Sequence, residues 1–276
     1  MITPQEEDHI RTHAYIPEHI LGYGKAMSGG EPHLLDGYLV YLRKNELILI
    51  GYPLNKPFQQ EELCRILEKA RQKWTPRRMA LIAPHLPRGM DCREADVFYR
   101  LDLATLQLSA KVRNMVQRAS REVVVEKDRA MKREHRKLMA EFLRSMSLDS
   151  GSRFLYDKIP DYIRSVSTSR LFSARDRRGH LQAFDIAEFG AAGYAFYLFN
   201  IRSRKNTVPG ISDLLLHELI QEAKEQNKAY LNLGLGIHPG VAFFKKKWGG
   251  YPFLQYESGF SAPAALQLPD ALVQKL

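Results

Sequence analysis

Residues 208–252, VPGISDLLLHELIQEAKEQNKAYLNLGLGIHPGVAFFKKKWGGYP, decide how this chain folds. Apolar residues recur with a helical period over 211–226, and the next apolar run, 229–233, has the alternation of a strand. A glycine-rich turn, a short helix over 239–247 and a last strand over 251–257 follow. The order helix, strand, helix, strand predicts an α/β fold for this region.

Immediately upstream, a predicted strand over 194–200 enters a polar loop, 201–209, which ends at the start of the 211–226 helix. Unpaired backbone N–H groups and the helix dipole both favour an anion at such a helix start. The loop therefore predicts an anion-binding site, although an ordinary surface loop with a Pro-Gly turn is the alternative. The residues assigned to this site are Arg202, Arg204, Lys205 and Gly210.

The N-terminal half has a weaker α/β pattern. Two β-rich stretches, 37–42 and 46–52, are separated by a short polar turn and predict a hairpin. An amphipathic helix is expected over 59–73 and a buried strand over 79–83. Residues 96–103 alternate apolar and polar side chains, which is typical of a half-exposed strand.

Two basic helices are expected between these halves, over 109–121 and 128–147, and the strongest boundary signal is the turn-forming DSGS at 149–152. Residues 111–137 contain ten Lys/Arg and four acidic residues, so +6 of the net charge of +10 lies in 27 positions. This patch suits nucleic acid, an anionic membrane surface or a phosphorylated acyl donor. A solvated helix face is the alternative. Arg113 and Arg118 are the candidate contacts to such a donor.

Several classes of protein are disfavoured by composition. The apolar runs are far shorter than the roughly 20 residues that cross a bilayer, and the N-terminus is polar and acidic, unlike a secretory signal. Two cysteines, Cys64 and Cys92, form neither a disulfide framework nor a metal-ligand cluster, so no metal is expected. We therefore expect a cytoplasmic protein without a transmembrane segment and without a tightly bound cofactor.

The 208–252 stretch resembles the catalytic domain of lysyl-phosphatidylglycerol synthases and the C-terminal half of Fem-type aminoacyl-tRNA-dependent peptidyl transferases, both built on GNAT folds. The resemblance lies in a Y-x-N-x-G strand followed by a G…F-K-x-x-aromatic-G segment, and it extends to the basic stretch 108–126. The residues that match are Tyr230, Asn232, Gly234, Gly240, Phe244, Lys245, Trp248 and Gly249.

This resemblance implies an α/β fold with two GNAT-like mixed-sheet domains in tandem, joined by a basic helical connector. The expected divisions are an N-terminal domain over 1–105, the connector over 106–148 and a catalytic domain over 149–276. Within the catalytic domain, the strands 194–200 and 229–233 should be neighbours that diverge at their C-terminal ends. Donor and acceptor would meet in that gap.

The resemblance also implies roles for single residues. Lys245 would stabilise negative charge that develops on the donor, whereas the alternative is one of three solvated lysines at a helix end. Lys247, about 200° further around the helix, is expected to be inert.

Asp213 would bind the acceptor amine or remove its proton, or else it only favours the helix start electrostatically. Asn232 should point into the gap between the strands. His238 is a candidate base, with a turn residue as the alternative.

The identity of the donor is inferred from a loop in which this chain differs from GNAT enzymes that bind coenzyme A. GNAT enzymes that bind coenzyme A usually have a glycine-rich pyrophosphate loop, whereas this chain has Pro209 and Ile211 around Gly210. This favours aminoacyl-tRNA or another activated acyl donor as co-substrate, with transfer of the acyl group to an amine or hydroxyl acceptor. The alternatives are an acyl-coenzyme-A-dependent N-acyltransferase, and a non-catalytic module that binds RNA or an anionic membrane.

Overall fold

A computed structural model describes residues 2–146, 150–205 and 208–261 of the chain. Within these residues there are eight α-helices and eleven β-strands. The helices are α1 (Pro4–His13), α2 (Leu21–Ser28), α3 (Gln60–Trp74), α4 (Ala110–Ser120), α5 (Arg133–Arg144), α6 (Ser150–Ser165), α7 (Ile211–Glu225) and α8 (Pro239–Lys247). The strands are β1 (Glu31–Leu35), β2 (Tyr38–Arg43), β3 (Glu46–Ile50), β4 (Arg78–Ala83), β5 (Asp91–Asp102), β6 (Val123–Asp128), β7 (Ser169–Asp176), β8 (Leu181–Glu188), β9 (Tyr194–Arg202), β10 (Tyr230–Leu235) and β11 (Tyr251–Ser261).

All of the strands described here join one mixed sheet, in the order β1-β2-β3-β4-β11-β5-β10-β9-β8-β7-β6. The two strands at its centre are exchanged between the halves of the chain. β5 follows β4 in sequence but pairs with β10 and β11, and β11 follows β10 but pairs with β4 and β5. The mixed α/β fold is therefore confirmed, as a single continuous sheet. The division into two tandem domains stays a prediction.

The same strand–helix–strand unit occurs twice in this sheet. β3, α3 and β4 form one unit and β9, α7 and β10 form the other, and in both units the two strands are parallel neighbours. A parallel pair requires a crossover connection, which the helix supplies in each case.

The predicted helical connector is not a separate helical segment. Between α4 and α5 the chain forms β6, which pairs antiparallel with β7 at the edge of the sheet. Its three consecutive valines favour a strand because β-branched side chains suit the pleated surface. The second predicted helix, 128–147, is correspondingly shorter, since α5 spans Arg133–Arg144. The boundary predicted at 149–152 begins at Asp149, which lies outside the described residues.

Helices cover both faces of the sheet. On one face a large apolar core contains buried residues of α1, α2, α5 and α6. On the other face a core under α4 and α7 covers the C-terminal half, and a smaller one under α3 covers the N-terminal half. Successive side chains of β9 lie on opposite faces of the sheet, since Phe196 belongs to the first core and Ala195 to the second. In the described parts of the chain, no helix has the length and apolarity needed to span a bilayer.

Residues 14–20, which we call the N-terminal strap, bind β10 in the C-terminal half and the backbone after β3 in the N-terminal half. The carbonyl of Tyr15 accepts a hydrogen bond from Asn232 Nδ2 on β10 at 2.9 Å. His19 Nε2 lies 2.9 Å from the carbonyl oxygen of Tyr52, next to β3. The sequence patterns did not indicate α1, α2 or this strap.

Glu18 lies in the strap and is 1% exposed, and neither of its carboxylate oxygens has a hydrogen-bond partner among the described residues. Burial raises the pKa of Glu18 to about 8, because the charged form loses its hydration. The unfolded chain ionises Glu18 near pH 4.5, whereas the folded chain keeps its proton until about pH 8. This side chain therefore contributes stability below pH 4.5 that is lost as pH rises to about 8.

The variant Glu18→Gln, which stays uncharged, should raise the melting temperature at pH 8 and change it much less at pH 5. Melting temperatures followed by circular dichroism at several pH values measure this difference. Glu122→Gln is the matched control, because Glu122 is exposed and its variant should show no such pH dependence. Equal effects of Glu18→Gln at both pH values would contradict a protonated Glu18 in the folded protein.

Candidate active site

The parallel strands β9 and β10 separate soon after they meet. They pair over only three positions, Tyr194 to Phe196 with Tyr230 to Asn232, although β9 continues to Arg202 and β10 to Leu235. The equivalent strands of the other unit, β3 and β4, stay paired over five positions. The predicted neighbours that diverge at their C-terminal ends are thus confirmed, and the gap is specific to the C-terminal half.

Bulges on both sides accompany the divergence. In β9 the register with β8 shifts at Leu198, and in β10 the register with β5 shifts at Leu233. A bulge adds a residue to one strand and ends regular pairing. Gly234, just after the second bulge, has φ +75°, a conformation that other residues rarely adopt. The strand can therefore turn away from β9 at this point.

Gly234 also leaves space for an amine. A Cβ placed on Gly234 would lie 3.5 Å from the carbonyl oxygen of Tyr197 on β9 and 3.7 Å from Nζ of Lys245 on α8. The amine of Lys245 thus lies at the gap between the two strands, as its motif position implied.

Lys245 is 3% exposed, so the alternative of a solvated lysine is wrong for this residue. Its amine donates a hydrogen bond to the carbonyl of Leu235, and it lies 5.8 Å from the ring centre of Tyr99. Burial lowers the pKa of Lys245 to about 7, while the carboxylate of Asp96 acts in the opposite direction. A lysine with this pKa changes its charge near neutral pH, as groups in active sites often do.

Asp213 lies where α7 begins, and its carboxylate is already engaged. Oδ1 accepts a hydrogen bond from Trp248 Nε1 at 2.8 Å and lies 2.5 Å from Nζ of Lys247. These contacts join the start of α7 to the end of α8, one turn beyond Lys245. Asp213 therefore links the two helices, and Lys247 is its ion-pair partner. The expected roles of Asp213 in the reaction and of Lys247 as an inert lysine stay predictions. Lys246 is the exposed one.

Asn232 is completely buried and holds two parts of the backbone together. Its Nδ2 donates to the carbonyl of Tyr15 in the strap, and its Oδ1 accepts from the N–H of Gly234 at 2.8 Å. The side chain thus fixes the bulge next to Lys245.

His238 is exposed and caps α8, with Nδ1 accepting from the N–H of Val241 at 3.4 Å. Of the two roles considered for His238, a base or a turn residue, these contacts match the turn residue.

The predicted anion site lies at the start of α7. Gly210 has φ +83°, and a Cβ placed there would come within 2.4 Å of the carbonyl oxygen of Met115, so α4 packs against the helix start. Asn206 and Thr207 of the loop lie outside the described residues. The cations of this loop are exposed: Arg202, Arg204 and Lys205. The guanidinium carbon of Arg204 lies 5.9 Å from the centre of the Phe142 ring.

Arg113 and Arg118 are exposed on α4, the helix that packs against α7. Arg113 donates to the carbonyl of Leu108. Among the described residues, the contacts of Arg113 and Arg204 are with Leu108 and Phe142 and not with Lys245.

Sequence reasoning missed two polar features near the gap. Asp96 on β5 binds the turn before α8, and it was read only as the polar position of an alternating strand. Asp185 on β8 is fully buried, accepts from Asn200 Nδ2 at 2.5 Å and has its pKa raised well above the usual range by burial. Asn200 in turn accepts from Ser212 Oγ in the first turn of α7 at 3.1 Å. The available signal was an aspartate between two apolar residues, Phe184 and Ile186.

No protein-family model matches the chain, and no curated protein matches it in sequence. Solved structures do match. A conserved protein of unknown function from Bacteroides thetaiotaomicron has a TM-score of 0.66 at 14% identity, covering 94% of this chain and 97% of that one. L-PGS from Bacillus licheniformis has a TM-score of 0.59 at 15% identity, covering 98% and 95%. FemX has a TM-score of 0.58 at 13% identity, covering 93% and 96%.

These similarities extend over nearly the whole chain, and at such identities they establish the fold. The resemblance to GNAT proteins of the lysyl-phosphatidylglycerol synthase and Fem types is confirmed at that level.

The ion pair of Asp213 gives a stability prediction. Asp213→Asn should lower the free energy of unfolding by about 2 kcal/mol, because it leaves Lys247 without its partner in a largely buried position. Adding Lys247→Met should recover part of this loss, since no unpaired charge remains. Urea unfolding of both single variants and the double variant measures the coupling. Additive losses would show that the two side chains do not interact.

Proposed function

We propose that this protein is an acyltransferase that moves an aminoacyl group from aminoacyl-tRNA to an amine or hydroxyl acceptor in the gap between β9 and β10. The observation that carries the proposal is the buried amine of Lys245 at that gap. The similarity to structures named L-PGS and FemX supports the same class of chemistry.

In the proposed reaction Lys245 acts as an ammonium ion; burial disfavours this form, and the polar groups around the amine offset part of that cost. Its neighbours are the carbonyl oxygen of Leu235, the ring of Tyr99 and the carboxylate of Asp96, all of which attract a cation. The acceptor nucleophile attacks the ester carbonyl carbon of the donor, and negative charge develops on the carbonyl oxygen. Lys245 stabilises that charge in a site shielded from water.

The bond between the carbonyl carbon and the ribose oxygen of the donor then breaks, and the proton of the acceptor leaves to that ribose oxygen. Asp213 does not take this proton in the proposal, because its carboxylate binds Trp248 and Lys247. The protein contributes positioning and charge stabilisation, with the proton passing between the two substrates.

The start of α7 favours tRNA over coenzyme A as donor. Pro209 supplies no N–H, and the carbonyl of Met115 lies against Gly210, where a pyrophosphate would need donors. Exposed cations on α4 and in the loop before α7 suit a long polyanion. An anionic membrane surface could use the same face, and a direct binding comparison separates these partners.

Binding to aminoacyl-tRNA, acetyl-coenzyme A and anionic vesicles should therefore be compared at two salt concentrations. We expect tRNA to bind, to weaken steeply with salt, and to weaken further when Arg113 and Arg118 are both replaced by Gln. Transfer of the amino acid to a primary amine in the same mixtures tests the reaction. Micromolar affinity for acetyl-coenzyme A would favour the coenzyme-A-dependent alternative, and salt-sensitive binding without turnover would favour a binding module.

Lys245→Ala should lower kcat on the order of 10–1000-fold with a much smaller effect on KM, because its charge acts on the transition state. Lys246→Ala is the matched control: it changes the next residue of the same helix, which is exposed, and should be nearly silent. Steady-state transfer kinetics measure both. Equal effects of the two substitutions would remove Lys245 from the chemistry.

The direction in which kcat/KM changes with pH tests whether Lys245 acts as an ammonium ion or as a neutral amine. With Lys245 as the cation, kcat/KM should fall as pH rises through about 7, since the free protein loses the ammonium there. A rise of kcat/KM through the same pH would instead identify Lys245 as a general base. Rates at constant ionic strength between pH 5.5 and 9 decide between these two roles.

A further inference from the structure

Asp96 on β5 holds the turn that joins β10 to α8. Its Oδ1 accepts hydrogen bonds from the N–H groups of Val97 at 2.7 Å and Gly236 at 3.2 Å, and its Oδ2 accepts from Ile237 at 2.6 Å. One carboxylate thus fixes backbone on two separate elements. Hydrogen bonds from backbone N–H groups to a charged acceptor are among the strong ones in proteins.

The turn that Asp96 holds is strained. Ile237 has φ +59°, and the N–H of His238 bonds to the carbonyl of Gly236 at 2.6 Å, which closes a tight three-residue turn. A β-branched residue in this conformation is a genuine outlier, and such turns are rare. Ile237 is also 56% exposed, so burial of its side chain does not compensate for the strain. The contacts of Asp96 explain why the turn persists.

Lys245 binds the same turn from the other side. Its amine donates to the carbonyl of Leu235, the residue directly before Gly236. If the turn opened, this carbonyl would move and the amine would lose its acceptor. The position of Lys245 therefore depends on the contacts between Asp96 and the turn.

Among the described residues, the charged side chain that acts on the Lys245 amine is Asp96. Two uncharged groups also contact the amine: the ring of Tyr99 on β5 and the carbonyl of Leu235 on β10. On α8, Lys246 is exposed, and Lys247 is paired with Asp213 of α7.

We propose that Asp96 is the positioning residue for Lys245: its carboxylate holds the strained turn that presents the Leu235 carbonyl, and it supplies the negative charge that keeps the buried amine cationic. This inference rests on the proposed function for its consequence in the reaction, whereas its effect on Lys245 itself can be measured without any substrate.

The measurement is an NMR titration of the Lys245 side chain in protein with isotope-labelled lysine, with the resonance assigned by its loss in Lys245→Met. Asp96→Asn should lower the pKa of Lys245 by about 1, because an opposite charge close to an ionisable group is removed. Asp91→Asn is the matched control: it removes the same charge from an exposed position of the same strand and should leave the titration unchanged.

The variant Ile237→Gly separates the two roles of Asp96, because glycine adopts the turn without strain. In Asp96→Asn/Ile237→Gly we expect the melting temperature to return toward that of the parent protein while the pKa of Lys245 stays lowered. The double variant also provides a folded protein if Asp96→Asn alone does not fold. An unchanged Lys245 titration in the double variant would overturn the charge role, and a melting temperature that Ile237→Gly does not restore would overturn the turn-holding role.

Transfer assays then connect this result to the reaction. If the protein is an acyltransferase, the fall of kcat/KM at alkaline pH should begin about 1 pH unit lower in the double variant. Absence of transfer with every donor would reject the proposed function and leave the NMR result standing. A lowered Lys245 pKa with an unmoved pH profile would reject the link between Asp96 and catalysis.

Discussion

Two parallel strands that stop pairing after three residues impose the main constraint on this structure. Where β9 and β10 part, backbone groups that would pair across the sheet need other partners. The carbonyl of Tyr197 faces the space beside Gly234, and the amine of Lys245 lies beside it. The Leu235 carbonyl binds this amine directly. A charged side chain can therefore remain buried here, because the opened sheet supplies its hydrogen-bond acceptors.

The buried polar residues around the gap mostly fix backbone. Asn232 binds the strap and the bulge, Asp213 joins α7 to α8, and Asp96 holds the turn before α8. Each of them has oxygen or nitrogen atoms engaged by the protein, which leaves Lys245 as the group whose charge is placed at the gap. A polar residue inside a recognisable motif can thus serve the geometry of the site without touching a substrate.

The N-terminal half supports the site without repeating it. Its β3–β4 pair has no comparable separation, and there His19 of the strap is buried and binds the carbonyl of the buried Tyr52. Exchange of β5 and β11 makes the two halves one sheet, so that Asp96, from the first half of the chain, reaches the turn before α8. The site depends on the whole chain because its supporting residue is far away in sequence.

The sequence alone determined the elements of the C-terminal half, since the helical period of 211–225 and the apolar run that follows it reflect local burial that any window of the chain shows. It also identified Lys245 as a candidate site residue, because this lysine occupies the F-K position of the motif. Only the tertiary structure shows strand β6, the N-terminal strap and the contacts of Asp96 and Lys247. These features depend on contacts between segments that are far apart in sequence. In the sequence, the polar residues that make such contacts cannot be told from polar residues that are exposed. Only the folded chain shows which polar groups are buried, and burial is what gives Lys245 its pKa near 7 and Asp213 its partner.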